Sequence, residues 1–361
     1  MAPPWLRPHG HNGKETMPRV SRLAALSGAA LLTVALAACS SDSSSDSSGG
    51  EDGGSGDWTP VTIEHALGTT TIESKPERVA TVNWANHEVP LALGIVPVGM
   101  ASADFGDDDG NGVLPWVEEK LTELDAETPV LFDETDGIDF EAVADTAPDV
   151  ILAAYSGLTQ EDYDTLSEIA PVVAYPETAW GTPWREMIEL NSQALGMAQE
   201  GQELIAGLEQ KITDTVAAHP QIRDRSAMFL THVDSTDLSE VSFYTTHDTR
   251  AMFFEDLELT TPGSIAEASA GTDKFSLTQS AEQADAFDDV DIIVTYGGDE
   301  LVTALEKDPL LSQMPAVADD AVVNLPGTDP LGTAANPTPL SISWVLEDYL
   351  SLLDQAPDRA R

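Results

Sequence analysis

The chain has 361 residues, 16 Lys and Arg against 63 Asp and Glu, and a single cysteine. A formal charge of −47 excludes the clustered cations that nucleic-acid binding needs, and a lone cysteine excludes an intrachain disulfide framework. The 42% hydrophobic content is enough for one large or two medium folded domains.

Residues 1–38 read as a signal peptide. Arg19 and Arg22 precede the apolar run Leu23–Ala38, which is short of the ~20 residues of a membrane-spanning helix. Met17-Pro18-Arg19 is the better start of such a segment, so translation beginning at Met17 is one reading. Leu36-Ala37-Ala38-Cys39 resembles a bacterial lipobox, in which Cys39 becomes the lipidated first residue of the mature chain. Residues 39–58 then form the anchor and a Ser/Asp/Gly tether that cannot bury apolar surface.

Residues 59–180 carry the grammar of a first α/β lobe. Val61–His65 alternates as a strand, with Thr69–Ile72 its hairpin partner. Arg78–Val82 reads as a buried strand, after which Asn86 caps a short helix His87–Leu93 ending at Gly94. Ile95–Gly99 begins the next strand. Phe140–Ala147 and Tyr163–Ile169 read as helices, Asp149–Ala153 and Val172–Ala174 as strands. Strands alternating with helices imply a parallel sheet covered on both faces.

Residues 181–219 hold an amphipathic run whose apolar positions, Trp184, Met187, Ile188, Leu195, Leu204, Leu208 and Ile212 among them, recur at helical spacing. The spacing predicts one helix from Trp184 to His219, about 50 Å long at ~1.5 Å per residue. Residues 220–361 repeat the α/β grammar. Strands are expected at Ala227–Val233, Asp291–Thr295 and Ala321–Leu325, helices at Arg250–Leu257, Gln279–Ala284 and Ile342–Leu353, and Val317 in a turn or helix. The predicted fold is therefore α/β, two Rossmann-like lobes joined by a single long helix.

Several stretches carry a family likeness. Lys75-Pro76-Glu77-Arg78-Val79, Leu91–Gly99, Phe140–Val143 with Ala147–Ile151, and Ile169–Val173 in the first lobe resemble iron–siderophore substrate-binding proteins of ABC importers. Ser280–Ala284, Asp308–Leu311, Pro315–Val317 and Pro339–Trp344 continue the likeness in the second. The resemblance implies the helix-linked, class III periplasmic-binding-protein-like fold. It implies a monomer held at the extracytoplasmic face of the cell membrane, where it captures a ferric siderophore between its lobes. It also implies delivery to membrane permease subunits powered by a cytoplasmic ATPase on other chains. No cofactor, resident metal or enzymatic reaction is implied. A haem- or cobalamin-binding protein of the same fold is the alternative, for which His87, His232 and His247 are available. A metal-ion binder would need clustered histidines, and an enzyme a motif such as H-E-x-x-H, and the chain has neither.

The resemblance assigns permease docking to Glu141 and Glu282, one at the start of a short helix in each lobe. Ligands of open α/β sheets lie beyond the carboxyl ends of the strands. Trp84 and Tyr155 end two strands of the first lobe, and Tyr244, Arg250, Phe275 and Tyr296 are the second-lobe candidates. Aromatic rings pack on a chelate and arginine pairs with its iron-coordinating oxygens. Arg185, at the base of the helix, is a poorer candidate, and Trp180 and Trp184 fit hinge packing as well as a ligand wall. Asp107, Asp109, Asn111 and Glu118 have the spacing of a calcium loop, although Pro115 interrupts it.

Overall fold

The computed structural model describes Trp58–Pro326 and Asp329–Ala356. Cys39, the signal segment and the tether fall outside the described residues.

An antiparallel hairpin, β1 (Val61–His65) and β2 (Gly68–Ile72), opens the described chain. Its buried positions alternate, as expected of strands with one covered face. Five parallel strands follow: β3 (Val79–Thr81), β4 (Gly99–Ala101), β5 (Val130–Phe132), β6 (Val150–Leu152) and β7 (Val172–Val173), in the order β5-β4-β3-β6-β7. β3, β6 and β7 are wholly buried, the pattern of strands covered on both faces. The expected strand at Ile95–Gly99 starts later because Pro97 has no N–H; the ladder begins where Val98 donates to the Val79 carbonyl at 2.8 Å. The order reverses between β3 and β6, which makes their carboxyl ends the switch point of this sheet.

The second lobe holds β8 (Ala227–Phe229), an antiparallel pair β9 (Glu240–Tyr244) and β10 (Ser276–Ser280), then β11 (Ile292–Gly297) and β12 (Val322–Pro326). β12-β11-β8 form a parallel sheet with β11 central. The helix expected at Gln279–Ala284 is corrected. Gln279 pairs with Val241 in β10, and a 3-10 turn starts only at Ala281, where the Ser280 side chain accepts from Glu282 N–H.

The single helix from Trp184 to His219 is also corrected. Two helices, Trp184–Ala194 and Ala198–Val216, replace it. The first closes at Leu195 and passes into Gly196 at φ +69°. Gly196 N–H donates to Gln193 and Met197 N–H to Ser192, the paired bonds of a Schellman ending. The chain then doubles back: Arg185 Nε reaches Glu209 Oε1 at 2.7 Å and Gln202 Nε2 reaches Glu189 Oε1 at 3.0 Å. In one straight helix Arg185 and Glu209 would stand about 36 Å apart. The spine is a helical hairpin. Its second arm, about 28 Å long, leads into the second lobe and packs along Ser341–Asp354, with Lys211 Nζ donating to the Ser343 carbonyl at 2.8 Å.

The lobes share a core as well as a linker. One cluster of buried side chains runs from Val89, Trp116 and Tyr155 of the first lobe through Ile205, Phe229 and Leu346. Two further clusters lie within the first lobe's side of the molecule. Glu88 is a polar pin in the shared region. Fully buried, its carboxylate accepts from Trp116 Nε1 at 2.7 Å and from Leu340 N–H at 2.8 Å, the residue before the helix Ser341–Asp354. Burial pushes this carboxyl above the usual carboxylate range against those bonds. A shared apolar core and a buried bridge both resist wide separation of the lobes.

Candidate functional site

The two parallel sheets bring their carboxyl ends together, and side chains from both meet there. On the first-lobe side, the segments after β3 and β6 are stitched across the switch point by Asn86. Its Oδ1 accepts from Tyr155 N–H at 3.0 Å and its Nδ2 donates to the Tyr155 and Val82 carbonyls at 2.9 Å. The expected helix cap at Asn86 is thereby corrected, because its side chain faces back to the strand ends and makes no cap bond. Trp84, half-buried, lies in the loop so held, and Trp180 packs edge-on to Tyr155 at 5.5 Å.

The second-lobe wall is built on Asp248. Its carboxylate caps the helix Thr249–Asp256 by accepting from Arg250 N–H at 2.9 Å. The same carboxylate takes two side-chain bonds from Arg250, Nε to Oδ1 at 2.8 Å and Nη2 to Oδ2 at 2.6 Å. Arg250 is 4% exposed and Asp248 0%, so this is a buried, bidentate ion pair. Arg250 also lies over the Tyr244 ring, 4.0 Å from its centre. Burial opposes the guanidinium charge, but Asp248, Tyr244 and Tyr296 more than restore it and hold the group firmly protonated. Burial raises the Tyr155, Tyr244 and Tyr296 phenols above their ordinary value, so all three stay neutral donors.

The lobes touch through this wall. Tyr155 OH and Thr249 Oγ1 are 3.3 Å apart, Asn336 Nδ2 donates to Tyr155 OH at 3.3 Å, and Thr249 Oγ1 donates to Asn336 Oδ1 at 2.8 Å. Phe105, from the loop after β4, meets the His232 ring edge-on at 5.8 Å and Tyr296 at 6.4 Å. His232 stacks on Tyr296 with centroids 4.7 Å apart. Beside Phe105, Gly106 lies against Thr333 of the second lobe at φ +80°; a Cβ there would sit 2.1 Å from the Thr333 hydroxyl.

Of the residues expected from sequence, the structure gathers Tyr155, Tyr244, Arg250 and Tyr296 into one cluster. Trp84 lies at the neighbouring strand end. Phe275 is half-buried beside the end of β9, its carbonyl accepting from Thr245 N–H at 2.9 Å. Trp184 and Arg185 belong to the hinge: both bond Asp256, at 2.9 Å through Trp184 Nε1 and 2.8 Å through Arg185 Nη2. Glu141 and Glu282 are exposed, each in the first turn of a short helical segment, one per lobe. Asp248, Thr249, Asn336 and Phe105 are the residues that sequence reasoning missed, and His232 was named only for the haem or cobalamin alternative. Only Asp248 had a readable signal, an acid at a helix start two residues before an arginine.

A second charged feature lines the first-lobe rim. Glu134, after β5, accepts from Asn83 N–H and from Asn83 Nδ2 at 2.9 Å. Burial, opposed by these bonds and aided by Asp104, pushes its carboxyl up to about 7. The calcium-like loop is organised differently from a cation site. Asp107 turns its carboxylate onto Gly110 N–H at 2.8 Å and Gly112 N–H at 2.6 Å, and Asn111 Nδ2 bonds Glu118. Among the described residues no group of three acids, histidines or cysteines is arranged to hold a metal ion.

A family model described as periplasmic binding protein matches residues 79–328. Among solved structures, Streptococcus pneumoniae TIGR4 PiaA in complex with ferrichrome is 47% identical and has a TM-score of 0.79, covering 82% of this chain and 98% of that one. A periplasmic solute-binding protein from Mycobacterium smegmatis is 26% identical with a TM-score of 0.66, covering 82% of this chain and 98% of that one. The probable siderophore-binding lipoprotein YfiY of Bacillus subtilis is 31% identical over 155 residues, 42% of this chain; the match spans 44% of that protein's length.

Proposed function

The chain belongs to the periplasmic binding protein family, and we propose that it is the extracytoplasmic binding protein of an ABC importer, capturing a ferric siderophore between its lobes. The observation that carries this reading is the interlobe wall of Tyr155, Tyr244, Arg250 and Tyr296, formed at the carboxyl ends of two parallel sheets. Support comes from PiaA, whose structure contains ferrichrome, and from YfiY, named as siderophore-binding. Trp84 and Phe275 extend the wall with apolar surface that a chelate's organic shell can cover. The function is binding without chemistry.

Charge narrows the ligand. Arg250 is already matched by Asp248, so the pair contributes no net charge, and Glu134 adds an acid on the facing rim. This suits a ferric trihydroxamate, in which the ligand charges cancel that of the iron, over a multiply anionic catecholate or citrate chelate.

Delivery follows from the outer surface. Glu141 and Glu282 present one carboxylate per lobe for arginines of two permease subunits, which sets register and encounter rate more than affinity. Cys39 carries the lipid that holds the protein, as a monomer, at the membrane. Among the described residues no helix is long and apolar enough to cross a membrane. Tryptophan fluorescence tests the binding step against ferric trihydroxamates, a tricatecholate, ferric citrate, haem and cobalamin. Quenching by a trihydroxamate at micromolar levels or below is expected. Quenching by haem or cobalamin alone moves the protein to the other branch of the fold.

A further inference from the structure

The second-lobe wall contains polar atoms that the protein itself leaves unanswered. Arg250 spends Nε and Nη2 on Asp248 and engages Tyr296 as well. Tyr155 is taken by Thr249 and Asn336. Of the wall residues named above, two keep a buried atom without a hydrogen-bond partner among the described residues, Tyr244 at its OH and His232 at its Nε2. The large majority of buried polar atoms in folded proteins are paired, so each exception calls for an explanation, and at the meeting of two lobes a ligand atom is one.

His232 is the one of the three candidate histidines placed for that role. His87 also has an unpartnered Nδ1, but it is enclosed beside Glu88 in the first lobe, and His247 directs its Nε2 to the Ser269 carbonyl at 3.4 Å. His232 follows β8 at the carboxyl edge of the second sheet. Its ring is clamped between Tyr296, stacked at 15°, and Phe105 of the other lobe. The ring orientation is therefore fixed by packing, with its Nε2 buried and unpartnered where the two lobes meet.

We propose that His232 is a ligand-specificity residue whose Nε2–H donates to an oxygen of the ferric chelate. The inference rests on the siderophore reading above. The electrostatic surroundings agree with it. The groups facing His232 are Arg250, neutralised by Asp248, and the neutral phenol of Tyr296. Burial first, and the Arg250 charge second, push the imidazole down to about 4. Across the physiological range it is an uncharged donor. It can satisfy a chelate oxygen without adding a charge that an uncharged chelate would leave unbalanced.

The test compares the wild type with His232→Phe and His232→Gln, using ferrichrome as the probe and tryptophan fluorescence as the readout. His232→Phe keeps an aromatic ring between Phe105 and Tyr296 and removes only the nitrogen. It is expected to weaken binding about tenfold, the scale of one hydrogen bond to a desolvated acceptor, with the ligand-free melting temperature unchanged or raised. His232→Gln restores a donor and is expected to recover much of the loss. Wild-type affinity is expected to stay flat from pH 8 to pH 6. His232→Phe binding within twofold of the wild type overturns the inference alone. So does a loss of affinity matched by a loss of ligand-free stability, which marks a packing role. A wild type that binds haem through a histidine-ligated iron, read from its absorption spectrum, overturns the donor assignment. A wild type that binds no ferric chelate overturns the functional reading itself.

Discussion

Replacing Asp248 by Asn tests the wall where its energetics are sharpest. Asparagine is nearly isosteric and is itself a good helix N-cap, so the cap to Arg250 N–H is largely kept. What is lost is the negative charge opposite a guanidinium that is 4% exposed. Two bonds between opposite charges, at 2.8 Å and 2.6 Å, become at most one bond from the cation to a neutral amide oxygen. Removing one partner of a buried pair leaves the other charge uncompensated, which costs about 3–5 kcal/mol. At roughly 2–4 °C per kcal/mol for a chain of this size, melting should fall by about 6–20 °C. Urea denaturation at pH 7 without ligand measures the cost directly. The joint replacement Asp248→Leu with Arg250→Met removes both charges and should recover most of it. A single-variant cost below about 1 kcal/mol, or a joint variant as unstable as Asp248→Asn, would refute the reasoning.

Other expectations follow from single features. Gly196→Ala places a side chain at φ +69° and against the Trp58 ring, and should lose at least about 1 kcal/mol in a thermal melt; an unchanged melt would contradict the hairpin ending. Tyr155→Phe removes the hydroxyl bridge to Thr249 and Asn336 and should cost about 1 kcal/mol, read by denaturation. Glu134 has its folded carboxyl raised to about 7, so its contribution is complete below the ordinary value of 4.5 and is lost as pH rises through 7. Glu134→Gln should therefore gain on the wild type between pH 5 and pH 8, by up to about 3 kcal/mol; parallel pH profiles would sink that assignment. Glu141→Ala with Glu282→Ala should leave chelate affinity intact while reducing uptake in cells, and normal uptake would remove the docking role.

The sequence carried the architecture because its signals were local. Val79–Thr81 and Val150–Leu152 are unbroken apolar strands, and Phe140–Asp145 begins at a capping Asp. The spine misled because helical spacing continues in phase through Leu195. The break depends on one residue, Gly196, and on the packing of Gly201 against Ser192 across the turn. A glycine inside an amphipathic run is weak punctuation until the tertiary contact is seen. Tyr155, Tyr244, Arg250 and Tyr296 were legible as residue types at strand ends or at a helix start. The pairing of Arg250 with Asp248 was not assigned, although the two lie two positions apart, because residue type cannot show that both are buried. Phe105 and His232 are 127 positions apart and meet only through the lobe contact.

The central claim, capture of an uncharged ferric chelate at the interlobe wall, is tested most directly by calorimetric titration of ferrichrome into the wild type and into the joint Asp248→Leu, Arg250→Met variant. The account predicts micromolar or tighter binding by the wild type. It predicts at least a hundredfold loss, about 2.7 kcal/mol, in a variant that remains folded. Equal affinity in the two proteins, or no heat from the wild type at about 100 μM, would contradict it.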